Sequence, residues 1–127
     1  GTSESLDKAC VIAEQKGAKR AIKLKVGGAF HSSLMKPAKE KLDAALKETT
    51  IQAPSCTFIP NASAQDTQDP EEIRKLLGTQ LMSSVRWIET MTRAKEAQIP
   101  QFLEIGPGKV LKGLARRCDR ELSVEIC

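Results

Sequence analysis

"QFLEIGPGKVLKGLARRCDRELSVEI" (101–126) is the stretch on which the fold class turns. "QFLEI" (101–105) reads as a strand, and "GPG" (106–108) turns the chain. "KVLKGLARRC" (109–118) then reads as a helix, with Val110, Leu111, Leu114, Ala115 and Cys118 on one side. "LSVEI" (122–126) follows as another strand. Strand, helix and strand in immediate succession favour an α/β fold with a largely parallel sheet.

The same alternation runs back through the chain. Leu6, Ala9, Cys10 and Ala13 recur at helical spacing, and Gly17 stops that helix. "AIKLKV" (21–26) alternates with a period of two and predicts a strand. Leu34, Ala38, Leu42, Ala45 and Leu46 mark one face of a helix, with Pro37 tolerated in its first turn. "CTFI" (56–59) predicts a short strand closed by Pro60.

"DPEEIRKLLGTQL" (69–81) carries a strong helix start. Asp69 is the cap, Pro70 the first helical residue, and Glu71 and Glu72 complement the positive helix end. Its buried stripe is Ile73, Leu76, Leu77 and Leu81. "SVRWIETMTRAKEAQ" (84–98) predicts a further helix with Val85, Ile88 and Met91 inward.

Composition bounds the function. The 127 residues suit one domain or a piece of a larger one, and 40% apolar content suffices for an aliphatic core. No apolar run reaches the 18 or so residues of a membrane span. Cys10, Cys56, Cys118 and Cys127 are scattered, form no C-x-x-C pair and cannot complete a zinc site with a single histidine, so they read as free thiols. No metal and no cofactor is expected. The net charge is +4, concentrated in "KGAKRAIKLK" (16–25). Lys16, Lys19, Arg20, Lys23 and Lys25 there form either a solvated face that protects a strand edge or a docking face for an acidic partner. Nucleic acid is disfavoured, because the chain has three Phe, one Trp and no Tyr for stacking, and 16 acids among its cations.

Two places offer chemistry. "GPGK" (106–109) joins strand to helix as a phosphate cradle would, but it lacks the spacing of either glycine-rich phosphate motif. Pro107 also removes a backbone donor, so a structural turn is favoured. His31, the lone histidine, follows the predicted strand 21–26 in "VGGAFHSSLMKPA" (26–38). That is the carboxyl end of a strand, where ligands bind in such sheets. Histidine is the usual base near neutral pH, but a base needs a nucleophile. Ser32 and Ser33 are too close in sequence to face the ring, and no G-x-S-x-G elbow exists. The residues thus give half of an active site.

"GAFHSSLMKPAKEKL", "GTQLMSSVRWIETM" and "FLEIGPGKVLKGLARR" resemble, in order and spacing, three signatures of the malonyl-CoA:acyl carrier protein transacylases. The resemblance extends over residues 3–120 or so. It implies an α/β fold: the C-terminal part of a hydrolase-like acyltransferase subdomain (28–127), preceded by the last helix and strand of a ferredoxin-like small subdomain (1–27). It also implies malonyl transfer through a seryl acyl-enzyme to the phosphopantetheine thiol of an acidic acyl carrier protein.

His31 then matches the family's catalytic histidine, and its serine partner lies in the family's G-H-S-x-G, which this chain lacks. Gln80 matches the glutamine whose backbone carbonyl holds the histidine ring, and Asn61 an asparagine near the site. Phe30, in "GAFH", matches the phenylalanine of malonyl-selective members; Gly28 departs from the histidine of their "HAFH". The basic run 16–25, extended by Lys36, Lys39, Arg116 and Arg117, is the expected carrier-protein docking face. The resemblance implies a longer, monomeric protein in the bacterial cytosol or a eukaryotic plastid or mitochondrion, and a chain inactive by itself. Alternatives are an acyltransferase piece of a multidomain synthase, or a non-catalytic basic module that binds an acidic protein.

Overall fold

The computed structural model describes residues 1–127. In chain order the elements are α1 (Ser3–Gln15), a 3-10 turn (Ser33–Met35), α2 (Lys36–Glu48), α3 (Pro70–Thr79), α4 (Trp87–Glu96), β1 (Gln101–Glu104), α5 (Val110–Cys118) and β2 (Ser123–Ile126). The α/β reading of 101–126 holds: β1 and β2 are parallel neighbours, in register from Gln101↔Ser123 to Glu104↔Ile126, with α5 as the crossover.

Local chemistry sets the helix ends. Thr2 accepts a hydrogen bond from the Ser5 N–H at 3.2 Å to start α1, and Gly17 (φ 92°) turns the chain out of it. Asp69 accepts from the Glu71 N–H at 3.0 Å, with Pro70 the first residue of α3. The glycine turn needs its glycines, since Gly106 and Gly108 lie at φ 130° and 108°.

The core is small. Met91, Ala115 and Val124 form its centre, with Trp87, Phe102 and Leu122 packed around them. These side chains sandwich α4 and α5 against the sheet face that carries Phe102 and Val124. The opposite face carries Leu103, which is 54% exposed. Parallel sheets are ordinarily covered on both faces. Two ion pairs brace α4: Arg93 with Asp66, and Lys95 with Asp119 beyond α5, both at 2.6 Å. The Arg93 hydrogen bond holds the Asp66 carboxyl below the ordinary carboxylate range, and the Lys95 hydrogen bond does the same for Asp119.

Several sequence expectations need correction. Residues 21–26 and 56–59 are not strands. Phe58 makes one isolated antiparallel bridge to Thr67, and 21–26 pairs with nothing, leaving Ile22, Leu24 and Val26 between 65% and 78% exposed. A strand requires a ladder partner, and the chain supplies none to these segments. α4 starts at Trp87, so Val85 precedes it and Ile88 stays exposed, while Met91 and Ala94 face inward. Along α5 only Ala115 is fully buried; Val110, Leu111 and Cys118 are exposed.

The exposed surface measures the shortfall. It amounts to 9766 Å². A compact monomer of this mass is expected to expose roughly 6,700 Å². The excess, on the order of 3,000 Å² on this chain alone, is at least one partner's share of an extensive obligate interface.

Candidate functional site

The site is built around a turn. α3 ends at Thr79, whose carbonyl accepts the N–H groups of Met82 at 3.1 Å and Ser83 at 3.2 Å. That tight reversal aims successive carbonyls outward. His31 sits against them. Its backbone N–H donates to the Leu81 carbonyl at 2.8 Å, and its ring Nδ1 lies 3.0 Å from the Gln80 carbonyl and 2.9 Å from that of Ser83.

Both groups facing Nδ1 are pure acceptors, so in the neutral ring Nδ1 carries the proton and Nε2 the lone pair. Nε2 has no partner within the chain, and His31 is exposed. His31 holds a left-handed conformation, φ 63°, which histidine adopts more readily than most side chains. The backbone bond to Leu81 and the ring bonds to the turn hold it there.

The residue following His31 is occupied elsewhere. The Ser32 hydroxyl donates to the Ala29 carbonyl at 2.7 Å and accepts from the Leu34 N–H at 3.3 Å, capping the 3-10 turn before α2. It is a structural cap. Phe30 is 52% exposed, and its ring lies over Gly28, where an added Cβ would meet Phe30 Cε2 at 3.3 Å. A larger residue at 28 therefore requires the Phe30 ring to shift.

Gln80 and Asn61 come together. Both line a hollow of about 150 Å³ with Phe58, Ile59, Pro60, Leu76 and Leu77. The Asn61 carbonyl accepts the Arg86 N–H at 3.0 Å, and Arg86 Nη1 donates to the Ser63 carbonyl at 3.1 Å. Loop 60–63 thus anchors the far end of the turn that His31 grips. The Asn61 side chain itself makes no hydrogen bond in the chain.

Lys16, Lys19, Arg20, Lys23 and Lys25 are all exposed, and Lys23 is bound to Asp7 of α1 at 2.8 Å. The glycine turn is not an anion cradle. Glu104, 8% exposed, accepts the Leu111 and Lys112 N–H groups of α5 at 3.0 and 2.9 Å. A carboxylate already fills the positive helix end and repels a second anion.

Sequence reasoning missed Leu81, Ser83 and Arg86 as parts of the site. Leu81 and Ser83 contribute backbone carbonyls and Arg86 a backbone N–H beside its guanidinium, and no side-chain pattern marks a backbone group.

No protein-family profile matches the chain. Individual relatives do. The malonyl CoA-acyl carrier protein transacylase of Bacillus subtilis is 42% identical over 122 residues, 96% of this chain and 38% of the relative. The crystal structure of an acyl-carrier-protein S-malonyltransferase from Burkholderia pseudomallei superposes with a TM-score of 0.91 at 40% identity, over 99% of this chain and 41% of that one. A malonyl-transacylase in complex with its type II polyketide acyl carrier protein superposes at 0.92 and 38% identity, over 100% of this chain and 41% of that one. The chain spans about two fifths of the length of the relatives it matches. Nearly all of it thus corresponds, in sequence and in fold, to a portion of the malonyl-CoA:acyl carrier protein transacylases.

Proposed function

We propose that this chain is the C-terminal, histidine-bearing portion of a transacylase that moves a malonyl group from malonyl-CoA to the phosphopantetheine thiol of an acyl carrier protein. The observation that carries the reading is the His31 ring, with Nδ1 held against two carbonyl oxygens and Nε2 unengaged. In that state Nε2 takes the proton of a serine hydroxyl as it attacks the thioester, then returns it to the leaving thiolate. The Gln80 carbonyl does the orienting work that an aspartate does in a serine–histidine–aspartate triad, without adding a negative charge. The serine belongs to the portion that the longer relatives have and this chain lacks. The excess exposed surface supports this, since a missing portion of the fold would cover it.

Residues 1–27 are assigned to the end of a ferredoxin-like subdomain and 28–127 to a hydrolase-like one. In support, α1 buries no residue of its own, and Ile22, Leu24 and Val26 stand ready for strands from elsewhere. Phe30 crowds the α-carbon of the acyl group and so favours malonyl over its α-methyl analogue. Lys16, Lys19, Arg20, Lys23 and Lys25 attract the acidic carrier protein.

The test is direct. The chain alone, mixed with malonyl-CoA and phosphopantetheinylated carrier protein, gives no malonyl transfer above background. Turnover by this chain alone that depends on His31 overturns the reading.

A further inference from the structure

We propose that the Ser83 carbonyl is a second positioning group for His31, acting with the Gln80 carbonyl to exclude the ring tautomer that has its proton on Nε2. The inference rests on the reading of His31 as the proton-transfer group and adds to it a device that no side chain reveals.

The geometry is a convergence. Three carbonyls within four residues meet one histidine: Gln80 and Ser83 at Nδ1, 3.0 and 2.9 Å away, and Leu81 at the backbone N–H, 2.8 Å away. The Thr79 carbonyl creates this by drawing in the Met82 and Ser83 N–H groups. Asn61 pins the other end of the turn through the Arg86 N–H.

Nδ1 has one proton for two acceptors. The bond is shared, so neither carbonyl alone sets the ring. Moving the proton to Nε2 forfeits that bond and turns the Nδ1 lone pair toward two carbonyl oxygens at once. A single acceptor opposes that tautomer by one lost bond and one lone-pair repulsion; two oppose it by one shared bond lost and two repulsions. The same pair of dipoles faces the positive ring after it has taken a proton. His31 is exposed, so water competes for the ring and weakens the hold of each carbonyl.

The lone histidine makes the test clean, because a long-range proton–nitrogen NMR spectrum of the full chain contains one imidazole. The expected result is that the neutral form of the ring has Nδ1 protonated and Nε2 bare, with scalar coupling across the hydrogen bond from Nδ1–H to the carbonyl carbons of both Gln80 and Ser83. Coupling to Gln80 alone, or an even mixture of tautomers, overturns the proposal.

A backbone ester supplies the perturbation. Replacing Ser84 by its α-hydroxy acid turns the Ser83 carbonyl into a weaker ester acceptor. The Ser84 N–H donates to nothing in the chain, so no other bond is lost. The ratio of the two tautomers should fall about threefold, the weight of roughly half a hydrogen bond. An unchanged ratio in a chain whose other amide resonances stay in place overturns the proposal. If the ester disturbs the fold, the couplings in the unmodified chain decide. Neither readout uses malonyl transfer, so failure of the transacylase reading and failure of this one are seen separately.

Discussion

Glu104→Gln isolates the contact that fastens α5 to the sheet. Glu104 ends β1, is 8% exposed, and accepts two N–H groups in the first turn of α5, Leu111 at 3.0 Å and Lys112 at 2.9 Å. Two charge-assisted bonds of this kind contribute about 1.5–3 kcal/mol each before the cost of burying the charge. Glutamine keeps one acceptor oxygen and presents an NH₂ to the other amide, so one bond weakens and the other becomes a donor facing a donor. It also gives up the favourable charge at the helix N-terminus, about 0.3–1 kcal/mol.

Glutamine is cheaper to bury, which offsets part of the loss, and a net destabilisation of about 2 kcal/mol remains. For a domain of this size that is a fall in Tm of roughly 8 °C. Thermal unfolding followed by circular dichroism measures it, with hydrogen exchange at the Leu111 and Lys112 amides showing where the loss occurs. A variant that melts within about 2 °C of the parent, with those amides still protected, refutes the claim that the carboxylate holds the helix.

Three further outcomes are expected. Under the proposed function, in this chain joined to a serine-bearing portion, His31→Ala should lower the chemical step by about 10²–10⁴ with little change in malonyl-CoA binding, and near-parental kcat would mark His31 as structural. Lys19→Glu with Lys25→Glu in that same protein should raise KM for the carrier protein at low salt, with the difference shrinking as salt rises and KM for malonyl-CoA unchanged. These two lysines are chosen because Lys23 is tied to Asp7, so its reversal would also disturb α1; an unchanged KM would leave the run as a solvated face. Asp66 and Asp119 have carboxyl pKa values depressed in the fold, so their stabilisation is present above the ordinary carboxylate range and lost as the pH falls through their lowered values. Asp66→Asn should therefore flatten the acid side of the stability–pH curve, and a curve that superposes on the parent's would show the Arg93 pair to be inert.

The sequence by itself determined what is local. The Asp69-Pro70 start of α3, the Gly17 stop of α1 and the strand–turn–helix–strand of 101–126 form because caps, proline and glycine act within a few residues of themselves. His31 stood out because only one histidine exists and it lies in a loop beside hydroxyls. Periodicity marked 21–26 as a strand and the structure forms none there, because a strand exists only where another offers its N–H and C=O groups, and this chain offers none to that segment. Tertiary structure also decided the chemistry of His31. The groups that fix its proton are backbone carbonyls 49 and 52 residues away. Every residue carries such a carbonyl, so the turn that aims those of Gln80 and Ser83 at one ring nitrogen is visible only once the chain has folded.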